Sequence, residues 1–150
     1  MYNITVDQSS KIEYTSKDTV IAYSNHKQKS LKIKAKDKRK VQEIFREAGK
    51  PDIFVYKTFS ILIYLLIRDD LSKVEYITID REYQGKEPLI KDFLLQLIRK
   101  YHKASINKDD IDFKLIGKKS KAHEKAIETY QGKIEAEIIV SCKDVLPYIL

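Results

Sequence analysis

Four side chains in this chain could do metal or acid–base chemistry if the fold gathers them: Asp7, Asp80, Glu82 and His123. Asp80 closes the run Val74-Glu75-Tyr76-Ile77-Thr78-Ile79, and Glu82 follows two residues later. If the extended conformation persists through Arg81, strand alternation aims both carboxylates the same way, and one divalent cation can touch both. Asp7 ends a second β-branched run, Ile4-Thr5-Val6. His123 follows the basic run Lys118-Lys119-Ser120-Lys121, whose cations, together with the helix N-terminus that Ser120 would cap, are suited to phosphate. Plainer roles compete for each residue. Asp7 can bond the amides of the turn Gln8-Ser9-Ser10, and Asp80 and Glu82 can form a solvated strand end paired to Arg81 or Lys86. His123 can be an ordinary first-turn helix residue, and the lysines a solvated charge run with Lys125. Tyr83 offers a ring on which a base could stack. His26 and His102 have no partners in the sequence, and Cys142 reads as a small core residue.

These residues must be positioned by strands and helices that the pattern outlines. β-Branched runs over 3–12 and 18–23 and the alternation over 31–35 predict three opening strands, with a turn at Ser24-Asn25-His26. Val41, Ile44, Phe45 and Ala48 fall at helical spacing, and Gly49-Lys50-Pro51 ends that helix. Asp52 is placed to cap a second helix, 53–70, apolar over most of its circumference. A strand over 74–80 follows, then a helix opened by Pro88 and running to Tyr101, then a strand over 111–116. A helix from Ser120 is broken by Gly132, 134–140 has strand character, and a short helix over 142–150 is distorted by Pro147. The order predicts an α/β fold with a mixed sheet: an antiparallel meander of three strands, followed by alternating helices and parallel strands. Strand ends at such crossovers are common ligand positions, which raises the interest of Asp80.

Composition sets the outer limits. A chain of 150 residues, 43% apolar, suits a single domain over 1–150 with its own core. The longest apolar stretch, 59–67, is too short for a bilayer span, so no membrane role is expected. The start Met1-Tyr2-Asn3-Ile4 lacks the features of a secretion signal, and a single cysteine suits a reducing compartment; a cytoplasmic protein is expected. The net charge of +7 favours a polyanionic partner such as nucleic acid, although a lysine-rich surface can serve solubility alone.

Val6-Asp7-Gln8-Ser9-Ser10-Lys11 is similar to the first-strand Asp-Gly-Ser motif of ribonucleases H, and Ile79-Asp80-Arg81-Glu82 sits where that superfamily's fourth strand ends in a carboxylate. The element order likewise resembles the ribonuclease H-like superfamily, which includes RuvC-type resolvases and transposase cores. The resemblance implies a nuclease that cuts DNA or RNA with Mg2+ or Mn2+ held by Asp7, Asp80 and, as helper or substitute, Glu82. It puts His123 and Glu124 at the start of the last core helix, where the family uses an acidic residue or a histidine; here His123 would be a ligand or a proton shuttle. Gln8 replaces the family's glycine, and no glutamate of the first helix matches, since Glu43 and Glu47 lie on an ordinary amphipathic helix. A junction-cutting enzyme would work as a homodimer, because two symmetric cuts need two sites. The alternative is a non-catalytic nucleic-acid-binding or regulatory module on the same fold.

Overall fold

The computed structural model describes residues 2–25, 27–102 and 106–149. Each predicted element has a counterpart there. The strands are β1 (Tyr2–Ser9), β2 (Thr19–Ser24), β3 (Gln28–Ile33), β4 (Val74–Asp80), β5 (Ile111–Lys114) and β6 (Ile138–Val140). The helices are α1 (Ala35–Glu47), α2 (Phe54–Ile67), α3 (Glu87–Tyr101), α4 (Lys121–Tyr130) and α5 (Cys142–Val145). All six strands join one sheet in the order β5-β4-β1-β2-β3-β6. β1, β2 and β3 pair antiparallel, as short connections permit, whereas β4 on β1, β5 on β4 and β6 on β3 are parallel and reached by helical crossovers. The mixed sheet expected from the element order is therefore present.

The two faces of the sheet are covered differently. Ile4, Val6, Ile21, Tyr23, Leu31, Ile33, Ile77 and Ile79 point to one face and meet α2, buried without a break from Thr58 to Ile67. A helix apolar nearly all round needs cover on its far side too, and α3 and α1 supply it. On the opposite face, among the described residues, α4 is the helix that lies across β1, β2 and β3, with Ala126 against Val20 and Ala22. Small residues at that contact bring α4 close to the sheet. No helix among the described residues is long and apolar enough to cross a membrane.

Local departures from the sequence reading have local causes. β1 stops at Ser9 because Ser10 takes a left-handed φ of 66°, which ends the pairing expected to run to Ile12. Asp52 lies in a 3-10 turn, Pro51–Ile53, so α2 begins at Phe54 with no side-chain cap. Only Ile138–Val140 of the run 134–140 reaches the sheet edge. Pro147 has no N–H to donate, and the final helix gives way there to a 3-10 turn, Leu146–Tyr148. His26, in the predicted turn, and Leu150, at the end of the last predicted helix, lie outside the described residues.

Candidate metal centre

Register alone brings the first two acidic residues together. Val6 of β1 pairs with Ile79 of the parallel strand β4, so one residue further on Asp7 and Asp80 stand side by side at the carboxyl ends of both strands. Their core-facing neighbours Val6 and Ile79 point to α2, and alternation turns the two carboxylates to the α4 face. Asp7 lies opposite Ala22, which packs on that helix. His123 sits in the first turn of α4, and its Nδ1 lies 2.9 Å from Asp7 Oδ2. Ser120 fixes this turn as the N-cap, its hydroxyl oxygen accepting the His123 amide at 3.2 Å.

Glu82 arrives by a route other than the extended one. The strand ends at Asp80, and the Glu82 amide donates back to the Asp80 carbonyl at 2.9 Å, closing a three-residue turn. The turn still delivers the carboxylate: one oxygen each of Asp7, Asp80 and Glu82 lies within 4.8 Å of the others. Asp7 is buried, and the other two are half-buried. Backbone amides orient the pair on the strands, Gln8 donating to Asp7 Oδ1 at 2.8 Å and Ile116, beyond β5, to Asp80 Oδ1 at 2.8 Å. Those two carboxylates are thus tied to different pieces of backbone. Among the described residues this is the one group of three acidic, histidine or cysteine side chains placed to hold a metal ion. Hard, anionic oxygen donors are the donor set a divalent cation such as magnesium or manganese requires.

The electrostatics show a local excess of negative charge. Burial, with the hydrogen bond and charge of Asp80, pushes the Glu82 carboxyl up to about 8. Burial and then the Asp80 charge push Asp7 up to about 6, against the opposing bonds from the Gln8 amide and His123. The nearby cations are engaged elsewhere. Arg81 pairs with Glu87 at 3.6 Å, and Lys86 Nζ lies over the Tyr56 ring at 5.4 Å. The solvated strand end neutralised by Arg81 or Lys86 is therefore not what the molecule has built. Lys11 Nζ lies 3.5 Å from the Glu82 carbonyl and 5.8 Å from the centroid of the Tyr83 ring, and its charge acts to lower the Glu82 carboxyl against the larger raising effects.

Other expected residues fall into place or out of it. Lys118, Lys119 and Lys121 are exposed beside the His123 turn and enter none of the ion pairs among the described residues. Ser120 is engaged as the helix cap. Lys125 leaves the basic run, since it pairs with Glu137 at 2.9 Å. Tyr83 offers no face to a base: it is 7% exposed and takes edge-on contacts with Tyr56 and Phe59. Glu43 pairs with Arg46 on the exposed side of α1, so that helix contributes no ligand. His102 packs edge-on against Tyr64 instead of joining the site. Sequence reasoning missed the roles of Gln8, Lys11 and the Ile116 amide, which depend on loop paths that no periodicity encodes. No model of a known protein family matches this sequence, and no curated protein matches it.

Proposed function

We propose that this protein is a divalent-metal-dependent nuclease of ribonuclease H-like fold that hydrolyses phosphodiester bonds of DNA or RNA. The observation that carries this reading is the pairing of Asp7 and Asp80 on adjacent parallel strands, with Glu82 inside the same 4.8 Å cluster and, among the described residues, no ion pair to Asp80 or Glu82. Bound Mg2+ or Mn2+ would polarise the phosphate and activate water for attack on phosphorus. Asp7 and Asp80 would hold the ion from the two strands, and Glu82 would complete the set from the turn, in place of the first-helix glutamate that this chain lacks. His123 holds Asp7 Oδ2 through Nδ1 and leaves Nε2 for proton exchange with water. Lys118, Lys119 and Lys121 are exposed in and just before the first turn of α4, which carries His123, and would take backbone phosphates of the bound strand.

The test is cleavage of single-stranded, duplex, branched and RNA:DNA hybrid substrates with Mg2+ or Mn2+, comparing wild type with Asp7→Asn and Asp80→Asn. Metal-dependent cutting by wild type, lost in both variants, is expected. Cutting that survives both substitutions would remove the assignment. One observation favours a second reading, a nucleic-acid-binding module without hydrolysis. Both oxygens of Asp7 already have partners, the Gln8 amide and His123, so the carboxylate is satisfied to that extent without an ion. Salt-dependent binding with no cleavage under either metal would decide for that module.

A further inference from the structure

Glu82 is the ligand with the weakest claim to a fixed position. It lies beyond the end of β4, outside the ladder that sets Asp7 and Asp80. Besides its bonds to Asp80, what holds it is a buried network built from the loop that follows β1. The Tyr83 hydroxyl accepts the Ile12 amide at 3.1 Å and the Gln8 side-chain amide at 3.1 Å, and it reaches Glu13 Oε1 at 3.3 Å. Lys11 Nζ adds its contact with the Glu82 carbonyl. The loop in turn is fastened to α1 by Lys38, a lysine with no exposed surface. Its ammonium donates to the carbonyls of Tyr14 at 2.8 Å and Lys11 at 3.3 Å, and to Thr19 Oγ1 at 2.9 Å. Three donors meet three acceptors, which is the condition for burying such a group. Thr19 Oγ1 donates onward to the Ser10 carbonyl at 3.0 Å.

The loop would not hold this shape unaided. Ser10 is the one non-glycine residue with positive φ among the described residues, and its buried Oγ has no hydrogen-bond partner. A segment that carries both costs is over-determined by its surroundings, and such segments concentrate where a site must be held. We infer that Tyr83 and Lys38 are positioning residues, which brace the 10–15 loop against the turn after β4 and so fix Glu82 relative to Asp7 and Asp80. The inference rests on the reading of those carboxylates as a metal centre. It gives the buried lysine and the phenol a common purpose that neither core packing nor surface charge requires.

The test is Mn2+ titration, by calorimetry or by the loss of the free-ion paramagnetic signal, on wild type, Tyr83→Phe, Glu82→Gln and the double variant. Tyr83→Phe keeps the ring between Tyr56 and Phe59 and removes only the hydroxyl. Groups that orient a metal ligand are typically worth about 10-fold or more in affinity, and a loss of about 10-fold is expected in the wild-type background. In the Glu82→Gln background the same change is expected to cost less than about 2-fold, because the residue it positions is already altered. Lys38→Met should act in the same direction; where that variant does not fold, Tyr83→Phe still decides. An unchanged affinity in Tyr83→Phe, or an equal loss with and without Glu82, would overturn the brace while leaving the metal centre intact. A wild type that binds no Mn2+ would remove the metal centre and the brace with it.

Discussion

Strand β4 has an acidic pair at each end, and the two pairs live in opposite circumstances. Asp69 and Asp70 precede it in the 3-10 turn Arg68–Lys73, whereas Asp80 and Glu82 close it. At the first end Asp70 accepts the Tyr23 hydroxyl at 2.6 Å and pairs with Lys29 at 3.7 Å and Lys27 at 4.0 Å, and Lys29 also lies 4.0 Å from Asp69. At the other end Asp80 and Glu82 meet a third carboxylate, while Arg81 and Lys86 turn away. The residue types are nearly the same at both ends. The difference is countercharge: one pair meets lysines within the protein, and the other faces a third carboxylate in a cluster that could hold a cation from solution. An acidic strand end becomes a candidate site when the fold withholds the lysine that would have silenced it.

The largest expected effect follows from that contrast. Asp80→Asn removes one of the strand-borne ligands, and Mn2+ affinity should fall by at least about 100-fold. Asp70→Asn should leave it within about 2-fold, because the lysines already satisfy that end. Isothermal titration of the two variants against wild type measures both. Equal effects would mean that the two ends of β4 do not differ as their partners suggest.

The same contrast should reverse the sign of a stability measurement. Glu82 and Asp7 have folded-state pKa values raised by burial and by Asp80, so their contribution to metal-free stability is fully present below the unfolded pKa values, near pH 4, and is lost as pH rises toward about 8. Glu82→Gln should therefore stabilise the metal-free protein at pH 8. After discounting for its partial exposure the gain is about 1 kcal/mol, and it should vanish at about pH 4. Asp70→Asn should destabilise by about 1–2 kcal/mol at pH 8, because Tyr23 loses a charged acceptor. Urea unfolding at the two pH values resolves these signs, and added Mn2+ should cancel the advantage of the Glu82→Gln variant at pH 8. A Glu82→Gln protein less stable than wild type at pH 8 would show that the carboxylates are not in conflict.

How much of this could be read from the chain depends on what set each feature. Asp7 and Asp80 were legible because strand ends are written in β-branched runs, and the mixed sheet because helices separate the later runs. His123 was legible through Ser120, whose cap fixes the helix start to within a residue. Glu82 depends on the path of the chain after β4: continued extension would have aimed it beside Asp80, and a turn delivers it to the cluster instead. The burial of Tyr83, which takes its ring away from any stacking base, is decided by Tyr56 and Phe59 on α2, far away in sequence. Lys38 left no trace in the pattern, since a lysine at a buried helix position looks like a solvated one until its three acceptors are known. Long-range loop contacts, in short, carry the part of the site that periodicity cannot encode.

The smallest effect concerns the lysines that the two ends of the molecule use so differently. Lys119 is exposed, unpaired among the described ion pairs, and close in sequence to His123. Lys27 is engaged with Asp70, though at 4.0 Å and with 63% of its side chain exposed. If nucleic acid crosses the His123 side, Lys119→Ala should weaken duplex binding several-fold at moderate salt and reduce the slope of log affinity against log salt by about 1. Lys27→Ala should leave that slope unchanged, because a cation already held by a carboxylate releases no phosphate counterion. Fluorescence anisotropy over a salt series distinguishes the two. Equal slopes for both variants would place the polyanion away from the acidic centre, and the charge of +7 would then serve solubility at both ends alike.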